Sequence, residues 1–178
     1  AIIDAQHLCR GLFISSTNSV VEGFTVRNGI TLASGGGILL YFAPITVRDC
    51  LVTGNQAGTS GGGIMMQGEG SLLENSTVQS NLAAIGGGGV SFSSGEPNQV
   101  VNNCMIQGNV ASNSGGGVEF SDGQGTVSNS WIADNRAVQG DGGGLNMFGG
   151  RLVNSVIVGN NANSYGGGVY SQNGGYVA

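Results

Sequence analysis

Runs of three glycines begin at Gly35, Gly61, Gly87, Gly115, Gly142 and Gly166, at steps of 26, 26, 28, 27 and 24 residues. Self-similarity at a fixed period of this size marks a chain built from stacked copies of one unit. The stretch Gly11-Leu12-Phe13-Ile14 fits one period earlier, with a single glycine. Glycine supplies 36 of 178 residues and proline only 2. Without a glycine at every third position and with almost no proline, collagen is excluded. With 39% apolar and 8% charged residues, disorder is excluded as well. The glycines are therefore placed by the fold.

Each period carries the same internal pattern. A strand leads off on the triplet, at Ile38, Ile64, Val90, Val118, Leu145 and Val169. After a variable loop comes an apolar column: Val21, Val47, Leu73, Val101, Val127 and Leu152. Two residues on sits a polar turn residue (Asp49, Asn75, Asn103, Asn129, Asn154), followed by a small one (Cys50, Ser76, Cys104, Ser130, Ser155). Two further on is Val26, Val52, Val78, Ile106, Ile132 or Ile157. That strand ends at Asn55, Asn81, Asn109, Asn135 and Asn160, and an alanine column follows at Ala57, Ala83, Ala111, Ala137 and Ala162.

Alternation within each run has period 2, so the runs are strands. Three short strands per period cannot bury a face alone, but successive periods stacked in parallel can. The fold expected is all-β: a right-handed parallel β-helix of about six and a half coils of roughly 26 residues, with three parallel sheets around one core. It reads as a single β-helix domain over residues 1–178, a fragment of a longer solenoid, since neither end carries an obvious cap.

Several side chains acquire a reason in that stack. The Asp/Asn turn column is expected in the left-handed region, which Asn tolerates, with its amides forming a ladder along the axis. Cys50 and Cys104 fall in one column two coils apart, on the order of 10 Å, beyond disulfide reach, and read as small buried residues. Glu22, Arg48 and Glu74 become direct neighbours of alternating charge. The glycines are expected at a corner with positive φ or close backbone approach, though one turn does not need three.

The pattern Asn-Ser-x-Ile-x-x-Asn-x-Ala-x-x-x-Gly-Gly-Gly-Val resembles the right-handed β-helix repeats of the pectin-lyase-like superfamily. Within it, the nearest likeness is to polymorphic outer-membrane proteins and related bacterial surface proteins. The opening Ile2-Ile3-Asp4-Ala5 and the run Val21–Asn28 are similar to the early coils of such proteins. The resemblance spans nearly the whole chain and rests on turn and core residues. It implies an extracellular or cell-surface location, with further coils or other copies of the chain as partners, and cell-surface carbohydrate as a ligand class.

The chain has a net charge of −5, no lysine and five scattered arginines, which disfavours nucleic acid as a partner. No run approaches the roughly 18 apolar residues of a membrane span. Three cysteines and the single His7 offer no metal-ligand spacing, so no metal and no cofactor is expected. The glycine runs lack the Lys-Ser/Thr of a phosphate loop and the calcium-binding nonapeptide, and the threonines share no column. Lyases and hydrolases of the resembling superfamily use clustered carboxylates. Here the only approach to a cluster is Glu119, Asp122 and Asp141, and the acids otherwise read as surface charge. The outward column of the first strand runs Phe13, Leu39, Met65, Ser91, Glu119, Asn146, Tyr170. Its apolar beginning, Phe13, Leu39 and Met65 with Tyr41 alongside, is the candidate protein-contact patch.

Two functional readings arise. One is a non-catalytic structural or adhesive shaft of a larger adhesin or filament, about 30 Å long at about 4.8 Å per coil. The alternative is a polysaccharide-binding or polysaccharide-degrading β-helix.

Overall fold

A computed structural model describes residues 1–42, 44–93 and 97–178; for Asp122 and Gly123 the backbone alone is described. Every strand pairing among these residues is parallel, and they contain no helix. The expected period is the physical one. Ile64 lies in register between Ile38 and Val90, and the column continues through Val118, Leu145 and Val169.

The strands form three sheets, as expected, but from four stretches per coil. A seven-stranded sheet runs from Ile2–Asp4 through Thr25–Arg27, Leu51–Thr53, Thr77–Gln79, Met105–Gln107 and Trp131–Ala133 to Val156–Val158. A six-stranded sheet of two-residue strands, from Ile30–Thr31 to Asn161–Ala162, carries the alanine column. The strands on the glycine triplets and those on the Val47 column share the third, twelve-stranded sheet. They fuse in the later coils, where Val118–Ser128 and Leu145–Val153 each run through the corner as one strand. In earlier coils a loop breaks the chain there, as between Ile64–Met66 and Leu72–Glu74.

The core is the interior of the winding. Val26, Val52, Val78, Ile106 and Ile132 stack with no exposed surface, as do Val47, Leu73, Val101 and Val127. Each inward residue is buried by its copies one period away, which is why no coil could fold alone. Phe92 and Phe120 stack inside, with ring centroids 4.4 Å apart and planes 12° from parallel. This rigid pair lies beneath the corner between the first and second strands.

The turn column takes the expected conformation: φ is 53° at Asp49, 49° at Asn75, 51° at Asn103 and Asn129, and 45° at Asn154. Its amide ladder is present in part, with Asn103 donating to Asn75 at 2.8 Å and Asn154 to Asn129 at 2.7 Å. A continuous buried ladder lies elsewhere, on the strand-ending column. Asn55, Asn81 and Asn109 each donate through Nδ2 to the Oδ1 of the next asparagine at 3.0 Å, and Asn135 does so to Asn160 at 2.9 Å. Each Oδ1 also accepts the backbone N–H of the preceding asparagine, and each Nδ2 also reaches a carbonyl one coil back, such as Val78 O for Asn109. Every polar atom of the amide thus has a partner in the interior, where an unmet one is costly.

Three separate demands account for the glycine triplet, and Gly61, Gly62 and Gly63 illustrate them. Gly61 turns the corner at φ 67°, in the left-handed region. A Cβ on Gly62 would sit 2.5 Å from the carbonyl oxygens of both Gly88 and Leu82. A Cβ on Gly63 would sit 2.7 Å from Gly89 O and 3.0 Å from Asn81 Nδ2. One glycine is needed for conformation, one for backbone approach and one for contact with the asparagine ladder.

Candidate functional site

The ionisable groups fall on different faces of the winding. In the charge column, Arg48 Nη2 meets Glu22 Oε2 at 2.9 Å, and Glu74 lies in register on the other side. The hydrogen bond that Arg48 donates to Glu22 and the charge of Glu22 raise the Arg48 guanidinium, and the charge of Glu74 adds to them. A second ion pair, Arg27 Nε to Asp4 Oδ2 at 2.8 Å, ties the first two strands of the seven-stranded sheet. Hydrogen bonds from the Asn28 side chain, the Gln6 backbone and the Arg27 side chain hold the Asp4 carboxyl below its ordinary range. Both pairs fasten one coil to the next.

Of the suspected acid cluster, Glu119 and Asp141 are described with their side chains. Glu119 lies half-buried in the first-strand column, with its Oε2 3.4 Å from Ser91 Oγ. Its carboxylate fills the space a side chain at Gly86 would need. Burial pushes the Glu119 carboxyl up, and hydrogen bonds from Ser91 and Ser60 pull partly against that. Asp141 belongs to the same glycine-corner stack, where its carbonyl accepts the N–H of Gly115 at 3.0 Å and its Oδ1 the backbone N–H of Tyr165 at 2.8 Å. Glu119 and Asp141 share no hydrogen-bond partner among the described residues. The Asp122 side chain lies outside the described residues, as does Glu96.

The apolar column keeps its expected register but not its expected exposure. Leu39 and Met65 are each only 7% exposed. The glycine corner folds back over them: an ideal Cβ on Gly35 lies 3.0 Å from Leu39 Cβ, and one on Gly61 lies 3.0 Å from Met65 Cα. The accessible part of the patch is Phe13 and Tyr41, joined by Phe42. Phe13 and Tyr41 ring centroids lie 5.4 Å apart, Tyr41 and Phe42 4.3 Å, and the Arg10 guanidinium stands 5.8 Å from the Phe13 ring. Phe42 holds φ at 47°, an uncommon conformation for a bulky side chain.

Two features escaped the sequence reasoning. On the seven-stranded sheet, Met105, Trp131 and Val156 form an outward column with Val158 beside it, each between 43% and 47% exposed. The signal was available, since Trp131 directly precedes the inward Ile132 in a period-2 strand. The second is a cavity of about 380 Å³, open to solvent, where the fused strands turn the corner. Its lining includes Gln124, Gly149, Gly150, Arg151, Asn173 and Tyr176. The Arg151 guanidinium lies 4.7 Å from the centroid of the Tyr176 ring. No single period contains this site, because three coils contribute to it.

Cys9 is a free, exposed thiol, whereas Cys50 and Cys104 are free and buried, as their column implied. Burial pushes the Cys104 thiol up to about 11. His7 is exposed, and no group of His, Cys, Asp and Glu able to hold a metal ion forms among the described residues. No helix among them is long and apolar enough to cross a membrane.

A family model described as a right handed beta helix region matches residues 9–177. Comparison with curated proteins and with solved structures gives no match.

Proposed function

Because this chain belongs to the right-handed β-helix family, we propose that it is a non-catalytic structural and adhesive shaft, working at the cell surface or outside the cell as part of a longer assembly. The observation that carries this reading is where the polar side chains are used. The buried asparagines bond along the winding axis from Asn55 to Asn160. Ser76, Ser130 and Ser155 hydroxyls accept backbone N–H groups from Cys50, Cys104 and Ser130. Arg27 and Arg48 each tie one coil to its neighbour. A catalytic site concentrates such groups, whereas a shaft distributes them to resist separation of its coils. Flanking coils or other copies suit it as partners, with Phe13, Tyr41 and Phe42 as an accessible contact surface.

The reading is tested in two ways. Pulling the chain by its ends in a force spectrometer should give successive releases of roughly one coil, each lengthening the chain by about 26 residues at about 3.5 Å per residue. Protease treatment of intact cells bearing the native protein should remove the winding's epitope without lysis. Protection from protease in intact cells would end the surface assignment. Release at forces no higher than those of an unstructured chain would end the shaft reading.

A further inference from the structure

Five arginines carry all the side-chain positive charge outside His7, and three of them are committed within the winding. Arg10 donates to the carbonyls of Gly35 and Ser34, Arg27 to Asp4, and Arg48 to Glu22. Arg151 differs. Its side chain has no ion pair or hydrogen bond among the described residues, it is exposed, and it lines the cavity at the fused-strand corner. Its guanidinium carbon lies 4.7 Å from the centroid of the Tyr176 ring. A guanidinium has five N–H donors, and a contact with one aromatic ring does not use them all.

The surroundings suit a ligand. The volume of about 380 Å³ lies within the range of small-molecule pockets. Glycines at 149 and 150, both with positive φ, give part of the wall a bare backbone. That wall is fixed from behind: a Cβ on Gly150 would lie 2.8 Å from the Phe120 ring, which is itself stacked on Phe92. Gln124 and Asn173 bring amides that both donate and accept.

We propose that this corner is a binding site for a small carboxylate ligand, with the N–H edge of Arg151 taking the carboxylate oxygens and Tyr176 holding the guanidinium in place. The charge count selects the class. One guanidinium matches one carboxylate through two parallel hydrogen bonds. A phosphate gathers its dianionic charge on one centre and would call for a second cation there, which the site lacks among the described residues, whereas a dicarboxylate can leave its second carboxylate in solvent. The net charge of −5 repels anions in general, so a saturable response at this corner would not be diffuse attraction.

The experiment is an amide NMR titration of the folded chain with succinate, read at Gly149, Gly150 and the Arg151 Nε–H. Saturable shifts are expected with succinate and none with the neutral isostere succinamide. Arg151→Gln should weaken succinate binding by about tenfold or more, the size of a lost charge-assisted hydrogen bond. Arg136→Gln, at an exposed arginine outside the cavity, should stay within about twofold. Shifts that never saturate would overturn the proposal. So would equal binding by Arg151→Gln, or inorganic phosphate saturating the same amides where succinate does not.

Discussion

Asn81 and Asn109 are 28 residues apart in the chain, yet one oxygen joins them twice: Asn109 Oδ1 accepts both the backbone N–H and the side-chain Nδ2 of Asn81, each at 3.0 Å. Asn109 in turn donates to Val78 O at 2.9 Å and to Asn135 Oδ1 at 3.0 Å, with no exposed surface of its own. An alanine at 109 would strand the N–H of Asn81 and an oxygen of Val78 in the interior. Asn109→Ala should therefore lose on the order of 3 kcal/mol in urea unfolding. Asn103→Gly, in the exposed turn column, keeps its left-handed φ and loses a solvent-facing bond, so it should change stability by less than about 1 kcal/mol. Equal losses at the two positions would contradict the interior role of the ladder.

The glycines separate two kinds of requirement. At Gly23, φ is 70° and a Cβ would meet nothing within 4 Å, so Gly23→Ala should cost only the left-handed strain of about 1–2 kcal/mol. At Gly62, φ does not fall in the left-handed region, but a Cβ would strike two carbonyl oxygens at 2.5 Å. Leu82 lies in a strand of the next coil and Gly88 in its hydrogen-bonded glycine corner, so neither carbonyl can rotate away. Gly62→Ala should lose clearly more than Gly23→Ala, because overpacking a rigid interior typically costs about 1–3 kcal/mol or more. Thermal melting of the two variants side by side checks the order.

These columns show what the chain makes legible in one dimension and what it does not. The period and its inward positions could be read because alternation and repetition are local properties: Ile106 and Val78 each carry their own evidence. The left-handed turn at Asn75 was equally readable, since small polar residues favour it wherever they stand. The Asn81 column could be placed only as the end of a strand, because only stacking reveals that it faces inward. Leu39 and Met65 alternate outward and were expected at the surface. They are covered by a glycine corner whose fold-back depends on backbone with no side chain to signal it. The Arg151 cavity draws on three coils, so no pattern within one period could announce it.

Glu119 gives the stack a pH dependence of unusual sign. Its carboxyl is raised by burial, so the folded state holds its proton more tightly than the unfolded state does. The associated stability is complete below the ordinary value near 4.5 and is lost as pH rises through the raised folded value. Glu119→Gln stays neutral at all pH values. The variant should melt above the parent at pH 7, and the gap should shrink as pH falls towards 4. A gap that widens on acidification would mean that ionised Glu119 stabilises the fold.

The three thiols should separate by access. Cys9 is exposed, whereas Cys50 and Cys104 are buried and Cys104 is pushed up to about 11. With a thiol-specific chromogenic disulfide at pH 8, the native chain should release one equivalent quickly. The other two should appear only on adding denaturant, because burial keeps the reagent from both and also holds Cys104 in its unreactive protonated form. Rapid release of three equivalents from the native chain would mean that the corners at Cys50 and Cys104 open readily.

Met105 and Ile106 are consecutive in one strand and face opposite ways: Met105 is 43% exposed and Ile106 fully enclosed. Ile106 is stacked between Val78 and Ile132 in register, so a charge there would have no water and no counter-ion. Ile106→Asp should abolish the cooperative melt of the neighbouring coils, since an isolated buried carboxylate costs far more than any one coil contributes. Met105→Asp places the same charge in solvent one residue away and should shift stability by no more than about 0.5 kcal/mol. Circular dichroism melts of the two variants decide the matter. If Ile106→Asp unfolds at the parent's temperature, the inward and outward faces of every coil have been exchanged.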